Sequence, residues 1–297
     1  MKQGPSTLVV SLPSSWVKKH GVKKGKIVFL EERGRALLVS LTSHASESQI
    51  SLDVSGTMPM TNRIVGALYK AGFDMITLTY SLSKEAEEIL RAVPSLLGHQ
   101  VISHDDKTIV LKKMMREDAE NFEISYRKCF HILEDMFRDM VRGMKEKNDD
   151  VLKDVIVRDK TLAVFSDYTR RLLLSNHASE HVPEKYLIAV QLEKIGDRIK
   201  HIATVCVEEK KNSKNALSMI SEVSAFFTDF HTLYYDFSLK DLSEWGSERE
   251  LLKNNTRKNL ERASRKESSL IHECASIIPL IWELNEPLMI MNIEKMK

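Results

Sequence analysis

The sequence predicts a multidomain protein with a small basic β-rich head, a small α/β domain and a long all-α region. Strand-like runs and lysine-rich turns fill the first forty residues, strand and helix patterns alternate over residues 50–112, and beyond Met114 the strand signal disappears. We expect the head to span residues 1–46, the α/β domain 50–113 and the helical region 115–297.

The head has the composition of a basic β-module. Residues 1–40 carry eight Lys and Arg side chains against Glu31 and Glu32, a charge of +6, whereas the whole chain carries +2. Strands are predicted at 8–12, 26–30 and 36–41, with a short helix after Pro13 capped by Ser14 or Ser15 and a linker at 42–48. A basic end on an acidic chain is typical of a nucleic-acid-binding domain. A solvated lysine-rich turn is the alternative.

The overall composition excludes several classes of protein. It is 42% hydrophobic and 29% charged, which is typical of a folded soluble chain. No uncharged apolar run reaches membrane-spanning length and the N-terminus lacks the apolar core of a signal peptide, so we expect no membrane insertion and a cytoplasmic location. Cys129, Cys206 and Cys274 lack zinc-site spacing. We expect them to be buried thiols.

The middle segment alternates between strand and helix signals. Its predicted elements are a strand at 50–54, a helix at 58–71, a strand at 73–80, a helix at 83–97 and a hairpin around residues 105–107. Gly72 and Gly98 each stand directly before a strand, where a glycine ends a helix in a left-handed conformation. The segment has no catalytic constellation. We expect a structural spacer, with a small-ligand site between Arg63 and Asp74 as the alternative.

The C-terminal region contains six long amphipathic runs separated by short polar loops. They are predicted as helices at 117–147, 149–177, 181–211, 215–239, 241–265 and 267–295. Short loops favour antiparallel neighbours, and two sets of three helices indicate an internal repeat. We therefore predict two tandem three-helix bundles, repeat one at 115–211 and repeat two at 214–297.

The third of these helices has a sharp internal pattern. One face carries a narrow apolar stripe, formed by Ile188, Leu192, Ile195, Ile199, Ile202 and Cys206. Gly196 lies beside this stripe. Because a glycine inside a helix costs about 1 kcal/mol relative to alanine, we predict a close contact with a neighbouring helix there.

The opposite face of this helix carries Glu193, Asp197 and His201 at i, i+4 and i+8. Neighbouring carboxylates repel each other, so one interpretation is a cation between them. Carboxylate and imidazole ligands suit a divalent or iron-type cation, with further ligands from Asp159 or from acids of the first helix such as Glu134 and Asp135. The alternative is a solvated face neutralised by Lys194, Arg198 and Lys200.

Two resemblances join these observations. The run Glu193-Lys-Ile-Gly-Asp197, in the third helix of a three-helix unit, resembles the Glu-Arg-Ile-Gly-Asp motif of the PhoU family. The head resembles the AbrB/SpoVT-type swapped-hairpin DNA-binding domain, and the order of head, α/β segment and helices resembles the archaeal phosphate uptake regulators. The PhoU resemblance implies tandem helical bundles that help to repress phosphate uptake and bind a divalent metal or iron through Glu193, Asp197 and Asp159.

The AbrB resemblance implies a homodimer formed by interleaved hairpins, with one basic surface facing DNA. The residues that it places on this surface are Ser14, Lys18, Lys19, Lys23, Lys24 and Lys26. Two heads would carry about +12. Lysines bind phosphates as point charges, so we expect salt-dependent affinity with modest sequence discrimination.

The second repeat departs from the motif. In the segment from Leu280 to Pro287 a proline stands where the motif has its Asp. We therefore expect no second metal cluster, and a kink in the last helix because proline lacks a backbone donor.

The leading hypothesis is a dimeric DNA-binding transcriptional regulator of phosphate uptake and phosphate homeostasis. Its helical domain would sense a metal ion or a partner such as a phosphate transporter component. The alternative is a PhoU-type adaptor that binds no DNA and inhibits phosphate transport by contacting a transporter or signalling protein. The sequence lacks paired Glu-x-x-His motifs and a phosphate-cradling glycine loop, so we do not expect an enzyme.

Overall fold

The computed structural model of the chain describes residues 9–33, 36–41, 48–175, 180–210 and 212–296. The chain divides into two compact units, Met1–Glu47 and Ser48–Lys297. The predicted α/β domain and the helical region therefore belong to one unit.

The head unit contains helix α1 (Ser14–Lys19) and an antiparallel hairpin of β1 (Phe29–Arg33) and β2 (Ala36–Ser40). The predicted capping is wrong, because Pro13 takes the cap position and the two serines lie inside α1. The strand expected at 26–30 begins three residues later. Leu8, the turn at 34–35 and linker residues 42–47 lie outside the described residues.

The first predicted strand of the head is corrected by the structure. Residues 9–12 form no strand, and the Val10 side chain is 79% exposed. A strand needs a hydrogen-bonding neighbour, and the described part of this unit pairs only β1 with β2. None of the head side chains that the structure describes is buried, and large apolar side chains are exposed at Val9, Val10, Ile27, Phe29, Leu30 and Leu37.

The second unit begins with the predicted α/β pattern. Its elements are β3 (Gln49–Asp53), α2 (Thr61–Lys70), β4 (Met75–Thr79), α3 (Ser83–Ala92), β5 (His99–Asp105) and β6 (Thr108–Lys113). The strand order is β3-β4-β6-β5, with β3 and β4 parallel and the other neighbours antiparallel. Helix α3 ends earlier than predicted, at Ala92, because Pro94 has no backbone N–H to continue the helical hydrogen bonding, and a short 3-10 turn follows at Val93–Ser95. Gly72 and Gly98 have the predicted left-handed backbone, with φ of +94° and +83°.

Helices α4 (Ala119–Glu146), α5 (Asp149–Leu174) and α6 (Val182–Glu208) pack against one another as the first predicted bundle. The second repeat consists of α7 (Lys214–Tyr235), α8 (Leu239–Arg262), α9 (Arg265–Ala275), α10 (Ile277–Trp282) and α11 (Asn285–Met291), followed by a 3-10 turn at Ile293–Met296. Contacts between α4 and α7 join the repeats. The first five predicted helices are confirmed within a few residues.

The sixth predicted helix is broken into α9, α10 and α11, which confirms the expected interruption near Pro287. Pro287 lies in the first turn of α11 and has no N–H to give to the carbonyl of Glu283. The Leu284 N–H turns to the carbonyl of Ile281 (3.1 Å), one residue short of α-helical pairing. The vacated carbonyl of Leu280 accepts a hydrogen bond from Gln191 Nε2 of α6 (3.0 Å).

The broken segment is also a long apolar stretch of the described residues. Glu267–Met291 has the length and composition of a membrane-spanning helix, a property shared by core helices of soluble proteins. Here its three short helices pack against α6, α7 and α8.

A buried arginine joins the α/β layer to the helices. The Arg171 side chain on α5 is fully buried, and each of its five N–H groups has an acceptor. Nε and Nη2 donate to the Glu117 carboxylate (2.6 and 3.4 Å), Nη2 also donates to Asp74 (2.9 Å), and Nη1 donates to the carbonyls of Tyr69 (2.8 Å) and Phe73 (2.9 Å). The guanidinium also lies over the Tyr69 ring, 5.2 Å from its centroid. Because Glu117 precedes α4 and Asp74 precedes β4, this side chain ties three parts of the unit together.

The close helix contact predicted at Gly196 is confirmed. A Cβ at this position would lie 2.2 Å from Cδ2 of Leu162, a fully buried side chain on α5. Asp159 Oδ1 and Leu133 Cδ2 would each be 3.6 Å away. Helices α5 and α6 can therefore approach this closely only because residue 196 has no side chain.

We expect Gly196→Ala to lower the free energy of unfolding by about 1 kcal/mol, since overpacking a core costs about 1–3 kcal/mol and the gain in helix propensity returns about 1. The matched control is Gly66→Ala on α2, where the nearest atom to a new Cβ is the end of the Lys70 side chain at 3.4 Å. That variant should be unchanged or more stable. Urea unfolding followed by circular dichroism measures both, and equal effects would contradict the close-contact explanation.

The second prediction concerns His99, which packs edge-on against the Tyr69 ring with ring centroids 5.1 Å apart. Its Nε2 donates to the carbonyl of Phe73 (3.1 Å), and burial, with Arg171 nearby, lowers the pKa of the imidazole to about 4. The unfolded chain therefore binds this proton first as the pH falls, and stability is lost between about pH 6.5 and pH 4. Between pH 7 and pH 5 we expect this imidazole to account for a loss of roughly 2 kcal/mol.

The test is the pH dependence of urea unfolding in the native chain and in His99→Gln, which cannot take up the proton. The difference in unfolding free energy between pH 7 and pH 5 should be smaller in the variant. Equal differences would show that His99 does not carry this acid sensitivity.

Candidate functional site

Helix α6 lies at the centre of the candidate site because its apolar stripe holds it against α4 and α5. All six residues of the predicted stripe are buried, and Ala189 and Ala203 beside it are fully buried. This packing fixes the direction of the carboxylates predicted as ligands. The exposed fraction is 29% for the Glu193 side chain, 61% for Asp197 and 8% for Asp159 of α5.

Glu193 continues a row of alternating charges toward the α/β layer. Its carboxylate contacts the Arg170 guanidinium and accepts a hydrogen bond from Ser166 Oγ (3.4 Å). Arg170 also contacts Asp167, which lies 3.1 Å from Lys70 Nζ of α2. Burial raises the pKa of Glu193. Glu193 is thus a half-buried member of an ionic network from α6 to α2.

Asp159 and Asp197 share one lysine. Lys200 Nζ lies 2.7 Å from Asp159 Oδ2 and 3.4 Å from Asp197 Oδ1. The hydrogen bond to Asp159 raises the pKa of Lys200, so the ammonium is charged at neutral pH. An internal cation therefore occupies the position between these two acids.

The other residues considered as ligands point elsewhere. His201 faces Glu273 of α9, with Nε2 3.8 Å from Oε2, and Arg198 approaches the same carboxylate at 3.7 Å. Glu134 accepts a hydrogen bond from His231 Nδ1 of α7 (2.6 Å). Asp135 contacts Arg138 one turn along its own helix.

The three acids predicted as metal ligands are paired with cationic side chains of the same chain. Hard cations take six or more oxygen ligands, or two carboxylates with several waters. Here Arg170 pairs with Glu193, and Lys200 pairs with Asp159 and Asp197. Within the described ranges no three His, Cys, Asp or Glu side chains are grouped to hold a metal. Metal binding at Glu193, Asp197 and Asp159 stays a prediction.

The three cysteines are free and buried, as predicted. Burial raises the pKa of Cys129 to about 12 and that of Cys206 to about 11, and it also raises the pKa of Cys274. Since the thiolate is the reactive form, these groups are protonated and unreactive at neutral pH.

The residues predicted to face DNA all lie on one short exposed segment of the head. Ser14 begins α1, Lys18 and Lys19 form its last turn, and the other three lysines, Lys23, Lys24 and Lys26, lie in the connection to β1. All six are exposed. The sequence from Ser14 to Lys26 contains no acidic residue, so the segment has no carboxylate of its own to neutralise these lysines.

The structure adds three polar residues that sequence reasoning missed, namely Arg170, Arg171 and Gln191. The two arginines lie directly before Leu172-Leu-Leu174 near the end of α5. The sequence pattern that could have indicated them is a pair of charged residues next to an apolar segment of a helix. Such a position requires buried partners. Gln191 lies next to the apolar stripe, and no pattern in the sequence marks the carbonyl that it binds.

The third prediction tests whether the Lys200 ammonium occupies the position between Asp159 and Asp197 where a metal ion would bind. Lys200→Met leaves Asp159 and Asp197 without their shared ammonium, and we expect a loss of about 1 kcal/mol because the lysine is partly exposed. Addition of Mn²⁺ should then raise the melting temperature of Lys200→Met and leave the native chain unchanged. Lys194→Met, on an exposed position of the same helix, is the matched control. The opposite result would contradict this prediction: Mn²⁺ would raise the melting temperature of the native chain, and it would do so less in Lys200→Met. That result would support a metal site at Asp159 and Asp197 in the native chain.

The first helical bundle is the part of the chain that resembles a known protein family. No curated protein and no solved structure matches the chain. Residues 126–206, about a quarter of the chain, match the family model of the PhoU domain. The matched range runs from α4 through α6 and contains Asp159, Glu193 and Asp197. Over its first helical bundle the chain is therefore similar to the PhoU domain family, which is associated with the regulation of phosphate homeostasis.

Proposed function

We propose that the protein is a DNA-binding regulator of phosphate uptake and phosphate homeostasis that acts as a homodimer in the cytoplasm and has no catalytic activity. The observation that carries the proposal is an exposed lysine-rich segment, on a head that buries no described side chain, in the same chain as a PhoU domain. The PhoU-like helices would act as the sensor of a metal ion or of a partner such as a transporter component.

The charge of the head supports DNA as its ligand. The five lysines of the predicted surface are exposed within residues 18–26, and the first forty residues carry +6. Contacts of this kind bind phosphates by displacing counterions, so affinity falls steeply with salt. The absence of arginine from this lysine segment favours modest discrimination between sequences.

The exposed apolar surface of the head supports a homodimer. The head unit spans only residues 1–47, a size at which little apolar surface can be buried, and Val10, Ile27 and Leu30 are 79%, 73% and 63% exposed. Residues 9–12 have no strand neighbour in the described part of the single chain. A hairpin from a second head offers both an apolar cover and a strand edge.

The ionic row from Glu193 to Lys70 supports a sensing role for the helices. It joins the acidic motif of α6, through Arg170 and Asp167, to α2 of the α/β layer. A partner that contacts Glu193 would compete with Arg170 for the Glu193 carboxylate. The coupling energy is measurable by a double-mutant cycle between Glu193 and Lys70.

A second candidate function is a PhoU-type adaptor that inhibits phosphate transport by contacting a transporter or signalling protein. It is favoured by the extent of the family match, which covers the first helical bundle and does not include the head. In this case the head would serve only to dimerise the chain.

The fourth prediction is that Lys18→Glu/Lys19→Glu weakens DNA binding at least about tenfold at moderate salt, because a dimer loses four phosphate contacts and gains four repulsive charges. The measurement is fluorescence anisotropy with DNA from upstream of the protein's own gene and of neighbouring transporter genes. Lys128→Glu/Lys145→Glu, at exposed positions of α4, makes the same change in net charge and should leave binding unchanged. A salt series should also show a smaller slope of log affinity for the head variant.

Equal loss of affinity in both double variants would show that net charge, and not the assigned surface, controls binding. No DNA binding by the native chain at low salt would reject the regulator and favour the adaptor.

A further inference from the structure

A groove of about 280 Å³ opens where the last helix breaks, between α6 on one side and α11 with the two residues before it, Glu283 and Leu284, on the other. We infer that this groove binds a basic amphipathic helix of a partner protein. Such binding goes beyond the proposed function and does not depend on DNA binding by the head.

The groove exists because the chain holds the helix break open. Gln191 of α6 is 6% exposed, and its Nε2 donates to the carbonyl of Leu280 (3.0 Å) and to Glu283 Oε2 (2.6 Å). A buried amide that satisfies both a main-chain and a side-chain acceptor fixes the relative position of the two walls. Pro287, which lines the groove, prevents the helix from closing over it. The groove is thus part of the folded structure before a partner arrives.

Apolar side chains are exposed on both walls. Leu187 of α6 is 60% exposed and Ile290 of α11 is 44% exposed, with Val190 and Leu284 lining the cavity between them. An apolar floor exposed on two facing helices is the surface against which an amphipathic helix places side chains at i, i+3 and i+4. The volume suits one or two such side chains.

The negative charge of the groove favours a partner helix with positive charge. Glu184, Glu283 and Glu286 line it together with Lys194, which leaves two net negative charges around the apolar floor. Glu283 and Glu286 are exposed. Lysine or arginine side chains flanking the apolar anchors of a partner helix would complement these carboxylates, whereas a nucleic acid would be repelled. The chain outside its first forty residues carries a net negative charge, so the helical region of a second copy has the wrong sign.

The probe for the test is a synthetic helical peptide of about fifteen residues with leucines on one face and lysines on the other, labelled with fluorescein and titrated with the full chain. Two controls are a scrambled peptide of the same composition and a peptide with glutamate in place of lysine. We expect binding in the micromolar range by the amphipathic basic peptide, and at least about tenfold weaker binding by either control.

Two variants locate the binding. Leu187→Lys and Glu286→Lys change exposed side chains in the groove, so they should preserve the fold, and both make the groove less acidic, so they should weaken binding of the basic peptide at least about tenfold. Their matched controls are Leu251→Lys and Glu244→Lys on α8, where the side chains are exposed as well, and these should bind as the native chain does. Circular dichroism checks that all four variants are folded.

Three results would overturn the inference: no binding of the basic amphipathic peptide, equal binding of the scrambled peptide, or equal loss in the groove variants and their controls. Self-association of the full chain that disappears in Leu187→Lys would assign the groove to a second copy instead. DNA binding measured on the same variants should be unchanged, so a failure here is separate from a failure of the DNA-binding proposal.

Discussion

The buried guanidinium of Arg171 is the interaction on which the architecture of residues 48–297 depends. Removing a charge from water costs several kcal/mol, and that cost is offset only when the charge is paired and its donors are satisfied. Here two carboxylates and two main-chain carbonyls take all five donors. The acceptors come from the end of α2, from the α2–β4 connection and from the residue Glu117 before α4, so they must converge on α5 for the fold to be stable. Two segments with separate sequence patterns thereby become one unit.

Arg170, the residue before Arg171, connects the same part of α5 to the acidic motif of α6. Arg170 and Arg171 are neighbours on α5, and successive helical residues project about 100° apart. One therefore reaches the Glu193 carboxylate of α6 while the other reaches the α/β layer. The acidic motif of the PhoU-like bundle and the docking of the α/β layer thus depend on adjacent positions of one helix. The motif's carboxylates are each paired with a cationic side chain of the same chain, Glu193 with Arg170 and Asp197 with Lys200.

The head and the broken last helix both leave apolar side chains uncovered in the single chain. The head exposes apolar side chains together with its lysines, and the last helix leaves an apolar, acidic groove at its break. Opposite charges at these two places favour different ligands, phosphates for the first and a basic helix for the second. The proposed regulator would use these two surfaces, which belong to different units of the chain, for DNA and for a protein partner.

The sequence by itself determined which elements form and where helices meet closely. Apolar periodicity predicted the α/β order and five helices, and Gly196 predicted the contact with Leu162 because a mid-helix glycine needs a packing reason. The prediction of a first strand in the head was wrong, because a strand forms only beside a hydrogen-bonding neighbour and local sequence does not specify that neighbour. Tertiary structure alone decided the polar contacts. Lys200 pairs with Asp159, and Gln191 of α6 binds the carbonyl of Leu280 in α10. Such contacts join residues tens of positions apart, and their distances are set only when α5, α6 and α10 pack together.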